Sequence, residues 1–339
     1  MSEVQFEAVS INGGRPRLSA LSRLLLVLAT LIAAAWTAGA VWFQISPSWH
    51  WLLIGLAAAA AIAICWLGFR RPRDGWIALG LAGALVAVWW GSILPSNDRD
   101  WAPDVARGVT AEINGDDVVV RNIRNFDWQS DDYAVQRWDT RPYKLSAITS
   151  VDLVSSVWDS PAIAHTMLSF GFADGRHLVF SAEIRREKGE AFSEIGGFFK
   201  QFELVLIGAD ESDILRLRTN VRGEQVSLFP VRLPQAKMRE LFVSYLEKGN
   251  ALARKPEFYQ TITTNCTTVI FQLARLVEPG MPMDWRILVS GYVPDYLYEH
   301  GALLTRLPLE QVKQGAVISA RAQAAAAADY STVIRRPVP

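Results

Sequence analysis

The sequence predicts an α+β domain, an antiparallel sheet with helices packed on it, preceded by three transmembrane helices. Three observations predict it. Three apolar runs free of Asp, Glu, Lys and Arg fill most of the first hundred residues. Alternating apolar residues with hairpin turns dominate residues 110–231, the period of strands with one face buried. From Pro234 onward the apolar spacing becomes helical, and strands followed by helices are the order of an α+β domain.

The first run extends from about Leu24 to Phe43, the second from Trp49 to Phe69 and the third from Trp76 to Pro95. Each is close to the roughly 20 residues that cross a bilayer core. Trp42, Trp49, Trp51, Trp76, Trp89 and Trp90 fall near the span ends, where indole rings favour the interface. Three long runs in succession, the first longer than an ordinary signal-peptide core, read as permanent anchors rather than a cleavable leader. Small residues at Gly55, Ala59, Ala63, Gly80 and Ala84 are candidates for helix packing.

Arginines set the expected orientation. Arg15, Arg17 and Arg23 precede the first span, Arg70, Arg71 and Arg73 fill the second turn, and the first turn, Gln44 to Ser48, carries no charge. By the positive-inside rule the N-terminus is cytoplasmic and the part after Pro95 faces outward, into the periplasm of a Gram-negative cell. The expected division is a cytoplasmic N-terminus over 1–23, a three-helix anchor over 24–95, a periplasmic domain over 96–319 and a flexible tail over 320–339.

Within the domain, Asn114-Gly115-Asp116-Asp117 centres a hairpin over residues 110–123. Val151, Leu153, Ser155 and Val157 share one face of a further strand. A stronger hairpin pairs the segment from Ala164 to Phe172 with that from His177 to Ser181 across Asp174-Gly175. Phe202 to Ile207 reads as a buried strand and residues 225–231 as another. Pro234 opens a helix carrying Met238, Leu241, Phe242, Tyr245 and Leu246 on one face, and a second helix begins at Asn265 and ends before Pro279-Gly280.

Composition excludes several functions. Lys plus Arg and Asp plus Glu both number 34, and no basic stripe marks a helix, so nucleic acid is not an expected partner. The spans carry no charged residue of the kind that marks ion or proton pathways. Metal, nucleotide and serine-hydrolase motifs of the HExxH, P-loop, GxGxxG and GxSxG types do not occur. No cofactor and no metal are expected.

The chemistry points to Cys266. Of two cysteines, Cys65 lies in an apolar run and Cys266 in Thr263-Thr264-Asn265-Cys266-Thr267-Thr268, so the bilayer boundary separates them and Cys266 is an unpaired thiol. With Asn265 as N-cap, and Thr264 beside it as a second capping candidate, Cys266 sits in the first helical turn. There, free amides and the positive helix end favour a thiolate and an oxyanion. The bland alternative is a small residue packed at a helix start.

A nucleophilic thiol needs a base. Among four histidines, His165 precedes an apolar strand, where an imidazole is costly without a partner. A structural, hydrogen-bonded histidine is the alternative. A two-residue turn at Asp174-Gly175 would set His165 opposite Ile184 and leave Glu183 on the other face. A one-residue bulge reverses that parity, so Glu183 and His177 both remain candidates for the group that orients the imidazole. Arg185, Arg186 and Lys188 belong either to a solvated loop or to a surface that meets phosphate headgroups.

The segment from Ala164 to Phe170, the charged stretch from Ser181 to Glu190, and Thr263-Thr264-Asn265-Cys266-Thr267-Thr268 together resemble the bacterial family named for the Lnb N-terminal periplasmic domain, over roughly residues 120–305. The resemblance implies a circularly permuted papain-like fold in which a strand histidine precedes the helix cysteine, the order of His165 and Cys266 here. It implies thiol acyl chemistry, with an acyl group passing from a phospholipid ester to Cys266 as a thioester and then to an amine. In the founding activity that amine is the N-terminus of a lipoprotein, so membrane phospholipid and lipoprotein are the implied partners. Here the membrane helices precede the domain rather than follow it, which leaves the acceptor open. A cysteine peptidase or amidase on cell-wall peptide, and a non-catalytic envelope binding protein, are the competing readings.

Overall fold

The computed structural model describes residues 15–336. The expectations for residues 1–14 and for Pro337, Val338 and Pro339 lie outside the described residues. The chain divides into two units, one comprising the helices up to Leu94 with Phe199–Gln201, the other the remainder from Pro95.

The first unit holds α1 (Arg15–Gln44), α2 (His50–Arg70) and α3 (Pro72–Ser92). Among the described residues, three helices are long and apolar enough to cross a membrane, Ala20–Gln44, His50–Arg70 and Pro72–Ser92. Pro72 starts α3 at a position where its missing N–H costs nothing. The expected packing residues Gly55, Ala59, Ala63, Gly80 and Ala84 are exposed instead. The close approach falls at Gly68 and Gly75, where a Cβ on Gly75 would come within 2.6 Å of both the Gly68 Cα and a methyl of Leu26. Helices joined by a single residue meet most tightly at their shared turn. Trp36 and Trp90 pack edge to face with centroids 4.9 Å apart.

The second unit is an α+β domain. Its strands are β1 (Thr110–Asn114), β2 (Asp117–Arg124), β3 (Asp127–Trp128), β4 (Ala134–Val135), β5 (Trp138–Lys144), β6 (Ile148–Val157), β7 (Ala164–Phe172), β8 (His177–Arg185), β9 (Glu203–Ala209) and β10 (Gln225–Pro230). The main sheet runs β1-β2-β9-β8-β7-β6-β10, with β5 also on β2. Its pairs are antiparallel except β2 with β9, joined by Ile123↔Gly208 and Arg124↔Ala209. That parallel pair and β5 escaped the sequence pattern, because β5 reads Trp-Asp-Thr-Arg-Pro-Tyr-Lys and buries one residue, Tyr143.

Helices cover both faces. α4 (Glu211–Arg216) continues into a π-helical turn, Leu217–Val221, and is followed by α5 (Gln235–Arg254), α6 (Cys266–Val277), α7 (Val293–Glu299), α8 (Leu309–Ala316), α9 (Ser319–Gln323) and α10 (Tyr330–Val333). On one face Leu168, Phe170, Phe180 and Ala182 pack with Phe242 and Tyr245 of α5 and Val269 and Leu273 of α6. On the other, Met167, Val179 and Ile207 pack with Ile214, Ala322 and Tyr330.

Residues 320–336 correct the expectation of a flexible tail. Tyr330 and Ile334 are buried, and Arg335 holds the buried carboxylates of Glu211 and Asp152 at 2.6 and 2.8 Å. The alanine-rich spacing hid the two apolar anchors. A second buried cluster fixes β2 to α4. Asp213 accepts from Arg124 Nε at 2.9 Å and Nη2 at 3.1 Å, from the Phe126 amide at 2.9 Å and from Trp128 Nε1 at 2.8 Å.

Candidate active site

Helix α6 begins with a reciprocal cap. Asn265 Oδ1 accepts from the Thr268 amide at 2.8 Å while Thr268 Oγ1 accepts from the Asn265 amide at 2.8 Å, the capping box that fixes a helix start. Asn265 Nδ2 donates to the Thr261 carbonyl at 2.7 Å, so both ends of this side chain are engaged. Thr264 does not cap: its amide donates to the Gln260 carbonyl at 3.0 Å in a backbone bridge. Cys266 and Thr267 therefore occupy the first two helical positions, whose amides have no carbonyl partner within a helix. Of the expected oxyanion donors, these amides rather than the Asn265 and Thr264 side chains fit the part.

The turn between β7 and β8 settles the parity left open by sequence. The Phe172 amide donates to the Arg176 carbonyl at 3.0 Å and Gly175 has φ +84°, so the loop has three residues, Ala173 to Gly175, with the glycine in the left-handed region. Ladder pairs such as Gly171↔His177 and Leu168↔Phe180 follow from it. In that register His165 faces Glu183, not Ile184. The extra loop residue supplied the parity reversal.

Pairing of β7 with β8 stops at Leu168↔Phe180, whereas β6 stays paired to β7 as far as Ala164 and β8 to β9 as far as Arg185. The strands part at this end, and polar side chains fill the gap. His165 Nε2 lies 3.0 Å from Glu183 Oε1 and 2.6 Å from Ser181 Oγ, and Ser181 Oγ donates to Glu183 Oε1 at 2.7 Å. The Cys266 thiol and the His165 ring lie in each other's electrostatic field. The sulfur lies 3.8 Å from Thr267 Oγ1, which lies 2.9 Å from Thr166 Oγ1.

The electrostatics follow from this arrangement. Burial disfavours the thiolate, but His165 and Thr166 outweigh it and bring Cys266 down to about 7. Burial also disfavours the imidazolium, but the Glu183 carboxylate overrides it and, with Cys266, lifts His165 to about 9, against an opposing pull from Arg218. Glu183 would be raised by burial, yet His165, Arg218 and the Ser181 hydroxyl hold it far below the usual carboxylate range. A thiolate–imidazolium pair oriented by a carboxylate is what nucleophilic catalysis by cysteine requires.

The other sequence candidates lie elsewhere. His177 sits six residues along β8 from Glu183, about 20 Å away for an extended strand, with Nδ1 4.0 Å from Glu211 Oε2. Burial lowers its pKa. Arg185 and Arg186 do not form a headgroup surface. Arg185 is buried, donating to the carbonyls of Val105 and Ala106 and to Asn97 Oδ1, and Arg186 pairs with Asp104 at 3.0 Å. Lys188 meets Asp100 at 2.6 Å on the surface. This charged stretch ties β8 to residues 97–106. Sequence reasoning missed Ser181, Thr166, Arg218 and Glu224, since residues this common carry no local signature.

An apolar cavity of about 460 Å³, within the usual range for small-molecule sites, runs along α6 from Thr267 to Val277; neither Cys266 nor His165 is in its lining. One wall is the face of α6 formed by Thr267, Ile270, Phe271, Ala274 and Val277. Leu168, Leu241 and Tyr296 contribute to the others.

No curated protein and no solved structure matches this chain. Residues 134–291, which contain His165, Glu183, Arg218 and Cys266, match the family model described as the Lnb N-terminal periplasmic domain, so the chain is a membrane-anchored protein whose domain resembles that family.

Proposed function

We propose that this protein is a cysteine acyltransferase or acyl hydrolase that takes a fatty acyl group from a membrane phospholipid onto Cys266. The observation that carries the reading is the position of the apolar cavity, whose α6 wall begins at Thr267, the residue after the thiol. A fatty acyl chain suits that lining, with each buried methylene worth about 0.8 kcal/mol; a polar cell-wall peptide does not. The arginine distribution supports a cytoplasmic N-terminus and a domain on the outer face of a bacterial inner membrane.

In the first half-reaction the Cys266 thiolate attacks the ester carbonyl. A C–S bond forms, the amides of Cys266 and Thr267 face the oxyanion, and the ester C–O bond breaks as His165 gives its proton to the leaving lysophospholipid oxygen. In the second half-reaction neutral His165 takes a proton from an amine or water as it attacks the thioester, and the thiolate departs. A lipoprotein N-terminus is the amine suggested by the family resemblance. The test is release of lysophospholipid from phospholipid vesicles carrying the full chain. Release by the wild type and none by Cys266→Ala is expected; equal release by both overturns the reading, and turnover of a cell-wall peptide in place of lipid favours a peptidase.

A further inference from the structure

The π-helical turn places a guanidinium behind the Cys–His–Glu array. Arg218 is buried, with Nη2 3.5 Å from Glu183 Oε1 and Nη1 3.3 Å from Glu224 Oε2. Inserting one residue into a helical turn is costly and recurs at functional sites; here it carries Arg218 to the gap between β7 and β8. The Arg218 carbonyl accepts from the Glu224 amide at 2.9 Å, and Gly223, with φ +69°, makes the reversal that brings Glu224 back. Glu224 also accepts from Ser156 Oγ, and Ser156 is the β6 residue in register with His165. Arg222 Nη1 approaches the other Glu224 oxygen at 3.9 Å.

We infer that Arg218 is a positioning residue that divides its charge between Glu183 and Glu224 and so sets how strongly Glu183 holds the protonated His165. A carboxylate with no second partner would bind the imidazolium so tightly that proton delivery to a leaving group becomes unfavourable. A carboxylate fully claimed by arginine would not hold the ring. The fork shared between two glutamates keeps Glu183 between these limits. The groups bearing on His165 are Glu183 and Ser181 from β8, Cys266 from α6, and Arg218 from the π turn with Glu224 behind it. Tyr259 and the buried Arg124 lie in the field of Glu183.

The inference rests on Cys266 and His165 as the reacting pair, and its test reads His165 directly. The full chain, in detergent micelles with histidine ring carbons isotopically labelled, is titrated by NMR, with His165 assigned by loss of its signal in His165→Gln. Arg218→Met removes the competing cation, so the His165 midpoint moves up. Arg218→Lys restores a cation, and the midpoint returns toward the wild type. Glu224→Gln keeps the acceptor for Ser156 but frees the Arg218 charge for Glu183, so the midpoint moves down. Opposite shifts from two partners of one ion pair are not what general loosening produces. A midpoint that stays put or falls in Arg218→Met, or fails to fall in Glu224→Gln, overturns the inference, and Glu224→Gln decides alone if Arg218→Met does not fold. Opposite shifts without acyl transfer would uphold this inference while removing the acyl reading, and acyl transfer without the shifts would do the reverse.

Discussion

His165 Nε2 and Glu183 Oε1 lie 3.0 Å apart across the opening between β7 and β8. The carboxylate fixes the tautomer and raises the basicity of a base that the thiol then meets as an imidazolium.

The protonation states set a pH window. The thiolate requires pH above about 7 and the imidazolium requires pH below about 9. Lysophospholipid release should therefore trace a bell with limbs near these values. A single sigmoid rising through the whole range would contradict the ion pair.

Stability carries the same signs. His165, lifted above its ordinary value, stabilises the fold below pH about 6.5, and that contribution is lost as pH rises through about 9. Glu183, depressed, stabilises above its ordinary carboxylate range and loses that contribution as pH falls. Thermal unfolding of Glu183→Gln should lose the acid-side dependence due to this pair relative to wild type, and an unchanged acid limb would speak against it.

His165→Ala should leave a thiol that is present but poorly activated. Loss of a general base costs about 10²–10⁴ in rate, so slow acylation should persist at raised pH. Glu183→Gln keeps the hydrogen bond but removes the charge, so the alkaline limb should move to lower pH. Rates in both variants indistinguishable from wild type would exclude the assigned roles.

Filling the cavity tests the substrate class. Ala274→Trp projects an indole from the α6 wall, so release from long-chain phospholipid should fall while alkylation of Cys266 by iodoacetamide keeps its wild-type rate. Equal loss of both would mean a disturbed helix rather than a blocked acyl site.

Away from the site, Asp213→Ala leaves the buried Arg124 without its carboxylate. Breaking a buried pair from one side costs about 3–5 kcal/mol, and chemical denaturation of the domain should show a loss of that order. A change within about 0.5 kcal/mol would mean that Arg124 finds another partner.

Most of this architecture was readable from the chain. Three apolar runs, the β1–β2 hairpin at Asn114 to Asp117 and the Asn265 cap each depend on short-range physics, and each stands where the spacing put it. Two residues of the candidate site, Cys266 and His165, stood out in the chain, because a lone thiol at a helix start and an imidazole in an apolar strand are both anomalous locally. Glu183 turned on a single loop residue that shifts the register by one. Arg218 and Glu224 reach the site through a π turn and a left-handed glycine, and such long-range placement leaves no periodic trace. Arg185 and Arg186 misled for the converse reason: a run of charge looks solvated until its partners, Asp104 and the carbonyls of Val105 and Ala106, are in view.

The most direct measurement is the intact mass of the full chain after incubation with phospholipid vesicles. The account predicts a fatty acyl mass on the wild type, removed by hydroxylamine as a thioester is, and absent from Cys266→Ala. An unmodified wild type under conditions where lysophospholipid accumulates, or an adduct of the same mass on Cys266→Ala, would contradict a thioester on Cys266.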